Sequence, residues 1–312
     1  MQFLTNTHIN FIAARRYAIV LSVLMILAGI VSLVVKHGPR LSIDFRGGSI
    51  VELKVDPAVD VGKIRAALKE GGVKATQVTT FGGPDEILIY IDKTDAADVV
   101  TADHKTVRQV VAEAFPDHTV ELRREETVGP KIGEELRKGA TNAIFVSLVL
   151  IVLYLTLRFV FNFGLAAVLT LVHDVLITLG LFSLLDKEIS LSIVAAFLTI
   201  IGYSLNDTIV VFDRIRENMR LRRKESYDEV INRSINETLS RTIITSLTTL
   251  FVAAMLFAVG GPVIHDFAFA LTIGVIVGTY SSIYVASPLL VVWYKWRSTD
   301  RKRGRRPRKA SA

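Results

Sequence analysis

Two kinds of hydrophobic pattern alternate along the chain, and they predict its layout. Six stretches are apolar almost without a break: 17–35, 140–157, 164–185, 189–212, 242–259 and 267–293. Each approaches or exceeds the roughly 20 residues that an α-helix needs to cross a bilayer. Arg15 and Arg16 precede the first, Arg158 stops the second and Arg241 opens the fifth. Buried helices of soluble proteins rarely run so long without a polar interruption, so the pattern predicts a multi-pass α-helical membrane protein. The first stretch is too long for a cleaved leader, and Val35-Lys36-His37 lacks the small residues of a cleavage site. It is expected to remain as a membrane helix.

Between the first two stretches, residues 36–139 follow shorter periods. Gly48 to Val55 alternates like a strand, and Val59 to Lys69 places Val61, Ile64, Ala67 and Leu68 on one helical face, ended by Gly71-Gly72. Gln77 to Phe81 and Glu86 to Ile91 read as strands joined through Gly82-Gly83-Pro84-Asp85. Thr106 to Phe115 returns to helical spacing with Val107, Val110, Val111 and Ala114, and Thr119 to Thr127 alternates again. The order β-α-β-β-α-β predicts an α+β ferredoxin-like domain outside the membrane, periplasmic or extracellular. That fold serves many functions, and with 16 basic against 18 acidic residues this one offers no charged cleft.

Composition adds an address for the charge. The chain of 312 residues carries a net +7. Its last 18 residues hold nine Lys or Arg against one Asp, so the rest is close to neutral. The basic excess is therefore confined to the tail, where contact with ribosomal RNA is the less simple reading, and no specific nucleic acid is expected. With residues 1–16 inside, the cytoplasmic segments 1–16, Arg158, 213–240 and 294–312 hold 19 Lys or Arg, whereas the short external loops hold only Lys187. This asymmetry predicts both termini in the cytoplasm. The tail 294–312 is expected to be disordered and to lie against anionic lipid, which attracts basic residues by about 1 kcal/mol each.

The chemistry of a conventional enzyme is missing. The chain has no cysteine, no His-Glu-x-x-His, no Gly-x-Ser-x-Gly and no Walker A sequence, and its six histidines are scattered. Neither a metal nor another cofactor is expected. What stands out are ionisable residues inside apolar spans, where a charge costs roughly 2.5–3.5 kcal/mol on insertion scales. Asp207 in the fourth span and Arg241 at the start of the fifth lie at matching depth, about 28 Å from the external boundary at 1.5 Å per residue. They are able to approach one another. Either they form an ion pair that only ties two helices, or both snorkel to the cytoplasmic interface, or Asp207 gains and loses a proton under the control of Arg241. His173-Asp174 lies about 18 Å deep by the same count, and its side chains diverge by roughly 100°. It reads as a packing contact or a proton relay. Asp213, beside Arg214 and Arg216, is expected in an interfacial ion pair. Ser226-x-x-Glu229 has the form of a capping box for a short helix before the fifth span, and Gly274-x-x-x-Gly278 permits close helix approach.

Several strings then carry a resemblance. Asp44-Phe45-Arg46-Gly47-Gly48 follows the first span, Val128-Gly129-Pro130 precedes the second, and His173-Asp174-Val175 lies in the third. The fourth span and its exit read Gly202-Tyr203-Ser204-Leu205-Asn206-Asp207-Thr208-Ile209-Val210-Val211-Phe212-Asp213-Arg214. Ser240-Arg241-Thr242 opens the fifth, and Gly278-Thr279-Tyr280-Ser281-Ser282-Ile283 lies in the sixth. With one helix, an external domain and five more helices, the layout resembles half of a resistance-nodulation-division (RND) type transporter. The strings narrow the resemblance to the SecD/SecF family of bacterial export proteins, and within it to the SecF type. The resemblance implies a subunit of the cytoplasmic (inner) membrane that works with SecD, the SecYEG channel, YajC and often YidC. It implies use of the proton-motive force to complete export of unfolded preproteins, with Asp207 and Arg241 at the proton-transport positions. A small-solute exporter and a purely structural partner of SecD are the competing readings.

Overall fold

The computed structural model describes residues 7–73, 75–91 and 106–303, and the side chains of all of these except 262 and 297–303. Six helical segments long and apolar enough to cross a membrane form a bundle, and a small α+β domain sits between the first and the second. Helix α1 (Arg15–Val35) leads through the short α2 (Ile43–Arg46) into this outer domain. Its elements are β1 (Gly48–Asp56), α3 (Val61–Glu70), β2 (Ala75–Phe81), β3 (Gly83–Ile91), α4 (Val107–Ala114) and β4 (Thr119–Val128).

All strand pairs are antiparallel and the order is β2-β3-β1-β4, the arrangement of a ferredoxin-like domain. The period of 2 along β1 sends Val51, Leu53 and Val55 to one face, and the register sets Val51 opposite Ile89 and Leu53 opposite Ile87. Ile64 and Leu68 of α3 and Val110 and Val111 of α4 cover that face. Both helices are capped by their own sequence. Asp60 accepts from the Gly62 amide, and Thr106 forms a reciprocal box with Gln109. Gly82, at φ 82°, allows the tight reversal in which Phe81 pairs with Gly83.

The bundle continues with α5 (Pro130–Arg158), α6 (Phe161–Leu184), α7 (Leu191–Leu221), α8 (Tyr227–Val259) and α9 (Gly261–Ser281). A single π-helical turn, Ser282–Ala286, joins α9 to α10 (Ser287–Arg303). Several helices run past the limits that hydropathy suggests. Pro130 starts α5 at the end of β4, where a proline suits the first helical position. The expected loop 213–240 is the helical extension of α7 and α8, with the reversal at 222–226. The box Ser226–Glu229 is formed, but it caps the long α8 rather than a separate short helix. The tail expected from residue 294 is helical as far as Arg303, while residues 304–312 lie outside the described residues. The reason is common to all these cases. Helices in water need only local propensity and caps, so hydropathy marks where lipid ends and not where the helix ends.

Helices α6, α7 and the α9–α10 segment fill the interior, with α1, α5 and α8 around them. Small residues let α1 and α6 approach closely. A Cβ on Gly29 of α1 would come within 2.6 Å of the Gly180 Cα of α6, and one turn away Ser32 and Ser183 share a hydrogen bond of 2.8 Å. On α9, a Cβ on Gly274 would collide with Ile200, and one on Gly278 would lie 3.1 Å from the Ser204 Cβ, so both glycines let α9 approach α7. The segment before α1 is seated as well. Phe11 and Ile12 are buried among α6, α7, α8 and α10 side chains. The Ile9 carbonyl accepts from Asn232 and Asn236 of α8 at 3.0 and 2.9 Å.

Candidate functional site

The candidate site is a polar core enclosed by apolar helix surfaces. Asp207, on the inward face of α7, is 5 % exposed. Thr242 Oγ1 of α8 donates to its Oδ1 at 2.8 Å, and Ser282 Oγ, at the start of the π turn, donates to its Oδ2 at 2.5 Å. Arg241 does not close the ion pair that matching depth suggested; it lies exposed on α8. The physical reason is azimuth. Residue counting fixes depth, but neighbours on a helix point about 100° apart, and it is Thr242 that faces α7.

A second carboxylate shares the same core. Asp174 of α6 is 1 % exposed, with Oδ2 receiving Ser204 Oγ at 2.5 Å and Ser281 Oγ at 2.8 Å. Its Oδ1 lies 2.8 Å from His173 Nδ1, while His173 Nε2 lies 2.9 Å from Ser22 Oγ of α1. The adjacent residues therefore bond each other and reach different helices, His173 towards α1 and Asp174 towards α7 and α9.

Counting hydrogens constrains this chain of bonds. The Tyr280 hydroxyl donates its one proton to the Ala18 carbonyl at 2.7 Å, so Ser22 donates to Tyr280 across their 3.0 Å contact. His173 Nε2–H is then the donor to Ser22. One proton lies between His173 Nδ1 and Asp174 Oδ1, as an imidazolium beside a carboxylate or an imidazole beside a carboxylic acid.

The consecutive Ser281 and Ser282 thus hold one carboxylate each. Each also has a second acceptor within reach, Gly278 O at 3.1 Å for Ser281 and Thr279 O at 3.0 Å for Ser282. If a carboxylate takes up a proton, its serine can turn to its own helix without losing a hydrogen bond. The π turn itself is closed by Ser287 Oγ donating to Ser282 O at 3.0 Å. Such turns tend to occur at functional positions.

The remaining candidates lie outside this core. Asp213 forms its ion pair with Arg158 at 2.8 Å, whereas its neighbour Arg214 pairs with Glu217 and Glu237. Asp44, Phe45, Arg46, Gly47 and Gly48 lie at the root of the outer domain, where α2 packs on α5 and reaches the start of α7. Thr242, Ser204, Ser281, Ser282, Ser22 and Tyr280 were not singled out for a role from sequence. Their signal is faint, because a hydroxyl in a helix can bond its own i−4 carbonyl and costs a membrane span little. Among the described residues no group of His, Asp and Glu is arranged to hold a metal ion.

Comparison with known proteins places this geometry. The family described as protein export membrane protein SecD/SecF, C-terminal, matches residues 106–296, and the SecD/SecF GG motif matches residues 31–59. The protein translocase subunit SecF of Desulfurispirillum indicum is 46% identical over 293 residues, covering 92% of either chain. The protein translocase subunit SecDF of Thermus thermophilus is 42% identical over 93% of this chain, which spans only 39% of that longer protein. The crystal structure of Thermus SecDF, described as a translocon-associated membrane protein, superimposes with a TM-score of 0.83 at 41% identity. It covers 95% of this chain, and this chain spans 40% of it. The six spans, the outer ferredoxin-like domain and the similarity over nearly the whole length agree: the chain belongs to the SecD/SecF family of protein-export membrane proteins, as a SecF-type subunit of the protein translocase.

Proposed function

We propose that this subunit converts proton movement into mechanical assistance for protein export, in company with a SecD-type subunit. The SecDF chains that carry both parts in one polypeptide support that partnership. On this reading the pair acts beside SecYEG, YajC and YidC in the cytoplasmic membrane, drawing unfolded preprotein outward after it has entered the channel. The Lys/Arg asymmetry orients both termini to the cytoplasm and the outer domain to the far side. The basic residues at the end of the chain then lie at the inner leaflet and hold anionic lipid.

The observation that carries the proposal is Asp207, a buried carboxylate towards the cytoplasmic end of a span, whose oxygens accept from two hydroxyl donors. A carboxylate held this way can be protonated without breaking an ion pair. Ser282 has Thr279 O waiting, so its release from Asp207 frees the π turn to shift against α7. Arg241, one residue from Thr242, supplies positive charge that favours release of the proton from Asp207. His173-Asp174, with its single shared proton, is the second group able to load or unload along the same core. One charge crossing 100 mV yields about 2.3 kcal/mol, so a few protons bias a two-state movement strongly. No cofactor is needed beyond the gradient.

The test is export in membrane vesicles with an imposed gradient. Asp207→Asn keeps the hydrogen-bonding shape but cannot exchange a proton. It is expected to abolish the gradient-dependent part of export, while the subunit still purifies with its SecD-type partner. Undiminished gradient-dependent export in this variant would overturn the reading.

A further inference from the structure

The Asp44-Phe45-Arg46-Gly47-Gly48 string lies far from the buried carboxylates, yet it touches the helix that carries Asp207. Asp44 Oδ2 accepts a hydrogen bond of 2.8 Å from the backbone amide of Leu191, the first residue of α7. That amide is one of the donors a helix cannot satisfy by itself, at the end where the helix dipole favours negative charge. The local cap does not meet it. Ser190 Oγ accepts instead from Ile193, at a long 3.4 Å.

Further contacts fasten the same two segments. Leu41 and Ile189 form a parallel bridge, with Ser42 N donating to Ile189 O at 3.0 Å and Ile189 N to Arg40 O at 2.7 Å. Arg40 spans three parts of the molecule. Its guanidinium reaches Asp186 at 2.7 Å and Glu188 at 3.0 Å before α7, and Gln77 of β2 at 3.0 Å. Lys36 and Arg40 together hold the Asp186 carboxyl below the usual carboxylate range. Phe45 is buried among Phe182, Ile193 and Phe197. The glycines then turn the chain into β1 with no room to spare. Gly47, at φ 75°, packs on Pro130, where a Cβ would lie 3.0 Å from the proline Cα; a Cβ on Gly48 would meet the Ile91 carbonyl at 2.6 Å.

We propose that Asp44 is the latch that makes the outer domain follow α7, so that movement of the helix bearing Asp207 reaches the sheet through α2 and β1. Asp207 lies sixteen residues along α7 from Leu191, about 24 Å at the α-helical rise. A continuous helix carries a tilt over that length as a rigid rod. β1 occupies an interior position in the sheet, bonded to both β3 and β4, so a displacement of its root moves the whole domain. Asp44 touches no proton-binding group and acts as a positioning residue. The latch stands on its own geometry; its consequence for export rests on the function proposed above.

The chain lacks cysteine, so two introduced cysteines are its only labelling sites, and it is spin-labelled before it is combined with its partner. Lys69→Cys on α3 and Val259→Cys at the end of α8 are exposed positions on the outer domain and on the bundle. In the full chain with its partner in lipid nanodiscs, Asp44→Ala is expected to broaden the distribution of distances between them. It should also speed hydrogen exchange of the Leu191 amide by about fivefold, the scale of a lost cap. Asp44→Asn keeps an acceptor at the same place and is expected to retain the parental distribution and slow exchange. An unchanged distribution and exchange rate in Asp44→Ala would overturn the latch, and so would Asp44→Asn behaving like Asp44→Ala. Neither readout requires a gradient or export. Failure of Asp207→Asn to impair export would therefore sink the proposed function and leave the latch standing.

Discussion

The outer domain and the bundle are built by opposite rules. Around Leu53, Ile64 and Ile87, each 0% exposed, the outer domain buries aliphatic side chains and turns charge outward. The bundle turns Phe145, Leu150, Phe251 and Met255 outward and buries His173, Asp174 and Asp207. Water explains the first arrangement, since removing apolar surface from it drives folding. In lipid that drive between helices disappears, and small residues and hydrogen bonds decide how helices meet. A buried carboxylate in the outer domain would be a defect to explain. In the bundle it marks the site.

The contrast can be broken by experiment. Its largest expected effect is functional, because Asp207→Asn removes an exchangeable proton without removing a contact. Next comes Leu53→Ala, which hollows a packed core and is expected to cost the outer domain about 2–5 kcal/mol. Faster hydrogen exchange along β1 and β3, with the α7 amides unchanged, would show the loss confined to that domain. By contrast, the Ser32–Ser183 bond between α1 and α6 should carry little. A double-mutant cycle to alanine, read by unfolding in mixed micelles, is expected to give roughly 0.6 kcal/mol and at most about 1.7. A coupling several times larger would mean that polar bonds rather than close backbone contact hold these helices.

A further test concerns the seam between the two regions. Burial first, and then the nearby Glu188 carboxylate, pushes the Tyr90 phenol up to about 12. An unfolded tyrosine ionises near pH 10, so the folded chain favours the neutral ring. The stability this lends is complete below about pH 10 and is lost as pH rises through about 12. Tyr90→Phe should flatten the melting-temperature profile in that window, as followed by circular dichroism. A profile as steep as the parent's would show that another group is responsible.

How much of this could be read beforehand follows the same division. The outer strands and helices were legible because periods of 2 and 3.6 show on Val51, Leu53 and Val55 and on Ile64 and Leu68. The six spans were legible from hydropathy, and their water-side extensions were not. Asp207 and Asp174 stood out because charge in a span is costly. Their partners did not stand out, since Thr242, Ser281 and Ser282 are ordinary residues for a helix and become specific only through azimuth. The Asp44–Leu191 bond was hidden for a different reason. It joins segments 147 residues apart, and no local pattern records such a meeting.

The seating of residues 9–12 bears on the order in which the molecule is made. Ile9 is held by Asn232 and Asn236, and Phe11 and Ile12 share a cluster with Leu290 and Val291. A ribosome completes the first span long before it reaches these partners. Residues 9–12 therefore meet their full set of partners only after the span that holds Leu290 and Val291 has entered the membrane. A chain interrupted before residue 290 would leave Phe11 and Ile12 without their complete pocket.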